Sequence, residues 1–173
     1  MNEVIIKDNW LPNDLCNFLY NNFLYQTPHL YGHTSNDAIV GKERTSEDLQ
    51  HFFYKHEFDQ NNTMTNFLCF KLLSDYFKND RVRILRVYIN IQHKGQNGDF
   101  HTDDGTTTVL WFPCPTNSNG GYFEYKKNNV DLETVKIPYV QNRLIMFPAY
   151  FPHQGLAFTD GTPRISLAFK IQR

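Results

Sequence analysis

Beyond Arg81 the apolar residues recur in short runs, each closed by Gly, Pro, Asn or Asp, and this rhythm restricts the C-terminal half of the chain to a sheet of short strands. It predicts strands over 83–91, 98–103, 107–112, 121–126, 131–137, 143–147, 151–155 and 164–171. Eight short strands in about 90 residues, behind a helical half, predict a mainly β fold with supporting α, a jelly roll buttressed by N-terminal helices. The alternation carries more than topology. In 164–171, Ile165, Leu167, Phe169 and Ile171 share one face, while Arg164, Ser166 and Ala168 share the other. In 83–91, Leu85, Val87, Ile89 and Ile91 oppose Ile84, Arg86, Tyr88 and Asn90.

The first 80 residues have a different texture. Residues 3–7 suit a short strand, and Asn13 or Asp14 is expected to cap a helix bearing Leu15, Phe18, Leu19, Phe23 and Leu24 at helical spacing. A polar stretch over 26–62, with His29, His33, His51 and His56, reads as a long loop. Residues 63–78 turn helical again through Phe67, Leu68, Phe70, Leu72, Leu73, Tyr76 and Phe77, and Asn79-Asp80 is expected to end that helix.

With 173 residues, 40% of them hydrophobic and 16% aromatic, the chain has apolar surface enough for one folded domain: 1–80 as helical support and 82–173 as the β core. A net charge of −1 excludes charge-driven coating of nucleic acid or anionic membrane. Cys16, Cys69 and Cys114 are odd in number and widely spaced, which points to a reduced, cytoplasmic or otherwise intracellular chain. No signal peptide or membrane span is expected.

Three groups of residues carry chemistry. His101 and Asp103 stand two apart on an extended segment and so project to the same side. Taken alone, a His-x-Asp pair is weak evidence. His153, in the apolar run Phe151-Pro152-His153, needs a partner if buried. Two imidazoles and a carboxylate together cap one face of an octahedron and leave three positions open, which suits Fe(II) and O2. Arg164, eleven residues after His153, heads a strand face with Ser166, and a buried guanidinium requires a carboxylate. Tyr88 is placed to offer its hydroxyl to the same pocket.

As an ordered set, His101-x-Asp103, His153 and Arg164-x-Ser166 resemble the Fe(II)/2-oxoglutarate-dependent oxygenases, and most of all the prolyl-4-hydroxylase-like branch. Gly120-Gly121 and the run Asn142 to Phe147 support the resemblance, which covers about residues 82–173. It implies a double-stranded β-helix, a cupin-like barrel in which His101, Asp103 and His153 bind Fe(II). It further implies that the far carboxylate of 2-oxoglutarate pairs with Arg164, helped by Ser166 and Tyr88, and that Trp111 lines the cosubstrate pocket. The implied reaction hydroxylates an unactivated C–H bond with O2 and releases succinate and CO2; Asp103 favours hydroxylation over halogenation. The expected substrate is a peptidyl proline or another protein side chain, with 26–62, including Arg44, Tyr54 and Lys55, as a candidate lid. A small metabolite and an alkylated nucleobase are alternatives, the latter disfavoured by charge. The rival class is a non-catalytic cupin-like domain holding a metal or ligand.

Overall fold

The computed structural model describes residues 3–33, 53–78, 81–115, 118–127 and 133–173. Among these described residues ten strands and two helices follow one another in the order β1 (Ile5–Lys7), α1 (Asn13–Tyr25), β2 (Leu30–His33), β3 (Phe53–Glu57), α2 (Thr63–Tyr76), β4 (Arg83–Gln92), β5 (Thr107–Phe112), β6 (Phe123–Tyr125), β7 (Val135–Ile137), β8 (Arg143–Pro148), β9 (His153–Gly155) and β10 (Arg164–Gln172). Seven strands form a large antiparallel sheet in the order β1-β8-β5-β10-β4-β3-β2, and three form a small one in the order β7-β6-β9. Residues of both sheets line one cavity, the arrangement of a double-stranded β-helix.

Period-2 alternation divides the large sheet. The β10–β4 ladder pairs Arg164 with Gln92, Ser166 with Asn90, Ala168 with Tyr88 and Lys170 with Arg86, and this face turns toward the cavity. The intervening pairs, Ile165 with Ile91, Leu167 with Ile89 and Phe169 with Val87, turn to the opposite side and into the main core. There Trp10 meets Trp111 edge-on at 5.8 Å and Phe169 at 6.4 Å, and Phe23 of α1 reaches Trp111 at 6.3 Å.

The helices run where the periodicity places them, but with narrower apolar faces. Helix α1 buries Cys16, Leu19 and Phe23 and leaves Phe18 61% exposed; α2 buries Leu68 and Leu72 and leaves Phe70 72% exposed. A helix on a sheet covers one stripe, and residues at other phases stay in water whatever their hydrophobicity. The cap of α1 also differs: Pro12 is the N-cap and no side chain caps the helix. In α2, Asn62 accepts from the Thr65 amide and does cap.

Two further differences lie in the sheets. The stretch read as one loop over 26–62 contributes β2 and β3, with β3 paired to β4 through Tyr54–Ile91 and His56–Ile89. Residues 34–52, with Arg44 and His51, lie outside the described residues, as do Asn79-Asp80 and the start of the 131–137 strand. The segment 98–103 is extended but is not a continuous strand. It joins β9 through the Gly98 amide to the Gly155 carbonyl and a reciprocal pair between His101 and His153. Among the described residues no helix is long and apolar enough to cross a membrane.

Candidate active site

Backbone pairing assembles the centre of the cavity. His101 and His153 exchange hydrogen bonds at 3.0 and 2.9 Å, and the Asp103 amide donates to the Ala149 carbonyl at 2.9 Å. The two imidazoles lie 4.3 Å apart, and one ligand atom from each of His101, Asp103 and His153 lies within 4.8 Å of the others.

The donor set is oriented. His101 Nδ1 is 2.8 Å from the Asp99 carbonyl and His153 Nδ1 is 2.8 Å from the Phe151 carbonyl. A carbonyl oxygen only accepts, so each Nδ1 carries a proton, and in the neutral ring the lone pair is then on Nε2. Those lone pairs meet a carboxylate: His153 Nε2 is 3.1 Å from Asp103 Oδ2, and His101 Nε2 is 3.7 Å from Oδ1. Three acceptors converging on one point form a donor set that could hold a metal ion, and imidazole, imidazole and carboxylate fit divalent iron.

The charge states agree. Burial, then the neighbouring His153, pushes His101 down to about 4 and keeps its ring neutral at pH 7. Burial alone would raise Asp103, but the close approach of His153 and the charge of Lys170 outweigh it and hold the carboxyl well below its usual range. Neutral histidine and ionised aspartate are the forms that bind metals.

Around Asp103 the structure brings in two residues that the sequence reading missed. Thr108 Oγ1 donates to Asp103 Oδ2 at 2.6 Å. The Lys170 ammonium, 1% exposed, contacts the same oxygen and sits 5.3 Å from the centre of the Tyr88 ring. Burial lowers the Lys170 pKa below the ordinary lysine value, against the pull of Asp103. The signal for Lys170 lay in the strand alternation. It continues the Arg164, Ser166, Ala168 series between the buried Phe169 and Ile171.

The other end of the cavity, about 280 Å³ in volume, is built around Arg164. Arg164 is 2% exposed, and its guanidinium stacks over Phe112 and Tyr139 at 5.2 and 5.4 Å. It donates to Gln92 Oε1 at 2.7 Å and stands 3.5 Å from Ser166 Oγ. None of the ion pairs among the described residues supplies it a carboxylate, although a buried guanidinium without an anion is costly. Asn90 Oδ1, also on the cavity wall, is buried with no hydrogen-bond partner. Room for the planar group comes from Gly155, where a Cβ would stand 3.1 Å from both Arg164 Nη1 and Gln92 Oε1. Gly121, at φ 70°, accepts from Arg164 Nε at 3.5 Å, and any side chain there would overlap the Phe158 ring. A small dianion suits this arrangement: one carboxylate at Arg164, the other end at the imidazoles.

Tyr88 and Ser166 line the cavity as expected, but Trp111 does not. On β5 it is Leu110 and Thr108 that turn inward; Trp111 pairs with Leu167, is fully buried in the main core and donates from Nε1 to Asn142 Oδ1 at 3.2 Å. Alternation along the strand puts it on the wrong side for a cosubstrate contact. Of the candidate lid, Lys55 and His33 reach the cavity wall; His29 is 2.7 Å from the Phe23 carbonyl, and Tyr54 packs on Tyr31.

No protein-family model matches the chain, and no curated protein matches it. Solved structures do. A prolyl hydroxylase from Trichoplax adhaerens, in complex with a hypoxia inducible factor oxygen degradation domain peptide fragment, superposes at a TM-score of 0.71 with 16% identity, over 98% of this chain and 83% of that one. The viral collagen prolyl hydroxylase of Paramecium Bursaria Chlorella virus-1, as its 2-oxoglutarate complex, gives 0.64 with 15% identity over 97% and 94%. HygX from Streptomyces hygroscopicus, with nickel, 2-oxoglutarate and hygromycin B bound, gives 0.67 with 8% identity over 98% and 82%. The fold of this chain is therefore the double-stranded β-helix found in prolyl hydroxylases and other 2-oxoglutarate- and Fe(II)-dependent oxygenases.

Proposed function

We propose that the chain is an Fe(II)- and 2-oxoglutarate-dependent dioxygenase that hydroxylates an unactivated C–H bond of a protein side chain, with peptidyl proline the first candidate. The observation that carries this reading is a pairing within one cavity. Backbone-oriented His101 and His153 face Asp103 at one end, and a buried Arg164 without a carboxylate stands at the other. A non-catalytic binding domain gives no reason to bury a guanidinium opposite a metal-type donor set.

His101, Asp103 and His153 would hold the iron, which together with 2-oxoglutarate and O2 supplies the oxidising power. Each residue of the chain then has a task. Arg164 binds the far carboxylate of the cosubstrate through its planar fork, and Gln92 and Ser166 fix that fork. Tyr88 keeps its hydroxyl protonated, since burial and then Asp103 raise it well above its ordinary value, and it serves as a donor. Phe123 and Phe147 pack on His153 at 5.7 and 4.7 Å and exclude water from that ring. The prolyl hydroxylases among the neighbours support a peptidyl substrate, and the hygromycin B bound to HygX makes a small molecule the alternative.

Succinate release in air tests the reading. Proline-containing peptides are expected to stimulate 2-oxoglutarate turnover over peptides lacking proline, with one hydroxyl gained per succinate. Stimulation by small metabolites or nucleotides alone would replace the peptide substrate, and no succinate under any condition would refute the activity.

A further inference from the structure

Lys170 is an unusual neighbour for a metal-type donor set. Lysine is almost never fully buried unless paired, and Lys170 is 1% exposed with its ammonium on Asp103 Oδ2. Thr108 already holds that oxygen through a 2.6 Å hydrogen bond, so the carboxylate does not need Lys170 for its orientation. What Lys170 adds is charge. Its strand places it with Arg164 on the cavity face, so two buried cations stand along a wall whose buried anion is Asp103.

We infer that Lys170 is a charge-setting positioning residue that weakens the hold of the His101, Asp103, His153 group on a divalent cation and strengthens the hold of the cavity on an anion. The inference rests on the proposed iron and 2-oxoglutarate site. Its physical content is a difference in sign. An ammonium on a liganding carboxylate competes with a metal for the same negative charge and repels it, and these forces are strong in a buried setting. The same ammonium attracts the two carboxylates of 2-oxoglutarate. A residue that only supported the architecture would, when removed, weaken both.

The test uses the whole chain and Mn(II), which binds such donor sets without oxidative turnover. Metal affinity is read from the electron paramagnetic resonance of free Mn(II), and 2-oxoglutarate affinity by calorimetry on the Mn(II)-loaded protein. Lys170→Met keeps the chain length and removes the charge. It is expected to bind Mn(II) about tenfold more tightly and 2-oxoglutarate about tenfold more weakly, while Lys170→Arg returns both toward wild type. Circular dichroism checks that the variants fold, and Lys170→Gln carries the same expectation if the methionine variant does not. Weaker binding of both ligands, or no change in either, would overturn the role of Lys170 and leave the metal site standing. Failure of the wild-type chain to bind Mn(II) at all would refute the metal site and this inference together.

Discussion

Arg164 and Gln92 face each other across the β10–β4 ladder, and the guanidinium donates from Nη1 to the amide oxygen at 2.7 Å. A neutral amide orients the fork and leaves its charge uncompensated, which is what an anion anchor needs. Arg164→Met is therefore expected to weaken 2-oxoglutarate binding about a hundredfold or more, equivalent to about 3 kcal/mol, because a buried charge pair loses one partner. Metal affinity should stay within about twofold, since the donor set is at the other end of the cavity. Calorimetry with Mn(II)-loaded protein checks both; unchanged 2-oxoglutarate affinity would remove Arg164 from the anchor.

Trp111 supplies the converse. Its indole packs against Trp10 and Phe23 and bonds to Asn142, away from the cavity. Trp111→Phe is expected to cost about 1–3 kcal/mol of stability through lost volume and an unmade hydrogen bond. Its 2-oxoglutarate affinity should be that of wild type. Urea unfolding with a binding titration separates the two effects, and a selective loss of binding would put Trp111 back in the pocket.

Asn142 joins the N-terminal segment to the barrel. At φ 63° it accepts from the Leu11 amide at 3.0 Å, donates to the Leu11 carbonyl and accepts from Trp111. Asn142→Ala combines a left-handed backbone with orphaned buried groups, and a loss of about 2–4 kcal/mol is expected in urea unfolding. Asn142→Gly, free of the backbone cost, should lose about 1 kcal/mol less.

A pH-dependent contribution comes from Asp8, whose carboxylate takes Arg143 Nε at 2.6 Å and Nη2 at 2.8 Å. The Arg143 hydrogen bond, against a smaller opposing effect of burial, holds Asp8 below its ordinary 3.8. A folded-state pKa below the unfolded value stabilises above the unfolded value, and the effect fades as pH falls through the lowered folded value. Asp8 is half-exposed, so Asp8→Asn should cost only about 0.5–1 kcal/mol at pH 7. The difference from wild type should hold above the ordinary value of 3.8 and shrink as pH falls below it; a difference that grows on acidification would contradict the ion pair.

How much was legible in advance follows the chemistry of each segment. Strand β5 was read to its ends because Thr107 to Phe112 is an unbroken β-branched and apolar run buried on both faces. His101 and Asp103 meet His153 because backbone pairing joins their segments, and Arg164 shares the cavity face with Ser166 because the two stand two apart on β10. Strands β2 and β3 were missed. Leu30-Tyr31-Gly32-His33 and Phe53-Tyr54-Lys55-His56-Glu57 are short and polar, and tertiary pairing makes them strands: β3 with β4, β2 with β3. Lys170 continues the Arg164, Ser166, Ala168 alternation, which the sequence reading stopped at Ala168, and its pairing with Arg86 and Thr108 places it on the same inward face. Trp111 was misplaced because the resemblance overrode the alternation that sets it against Leu110.

The central claim is that one cavity holds Fe(II) at His101, Asp103 and His153 while Arg164 anchors 2-oxoglutarate. Adding 2-oxoglutarate to the anaerobic Fe(II) protein tests it directly, because chelation of iron by the keto acid gives a visible charge-transfer band. The account predicts that band in the wild-type chain and its loss in Asp103→Ala, with circular dichroism showing that the variant remains folded. No band in the wild type, or an undiminished band in Asp103→Ala, would contradict it.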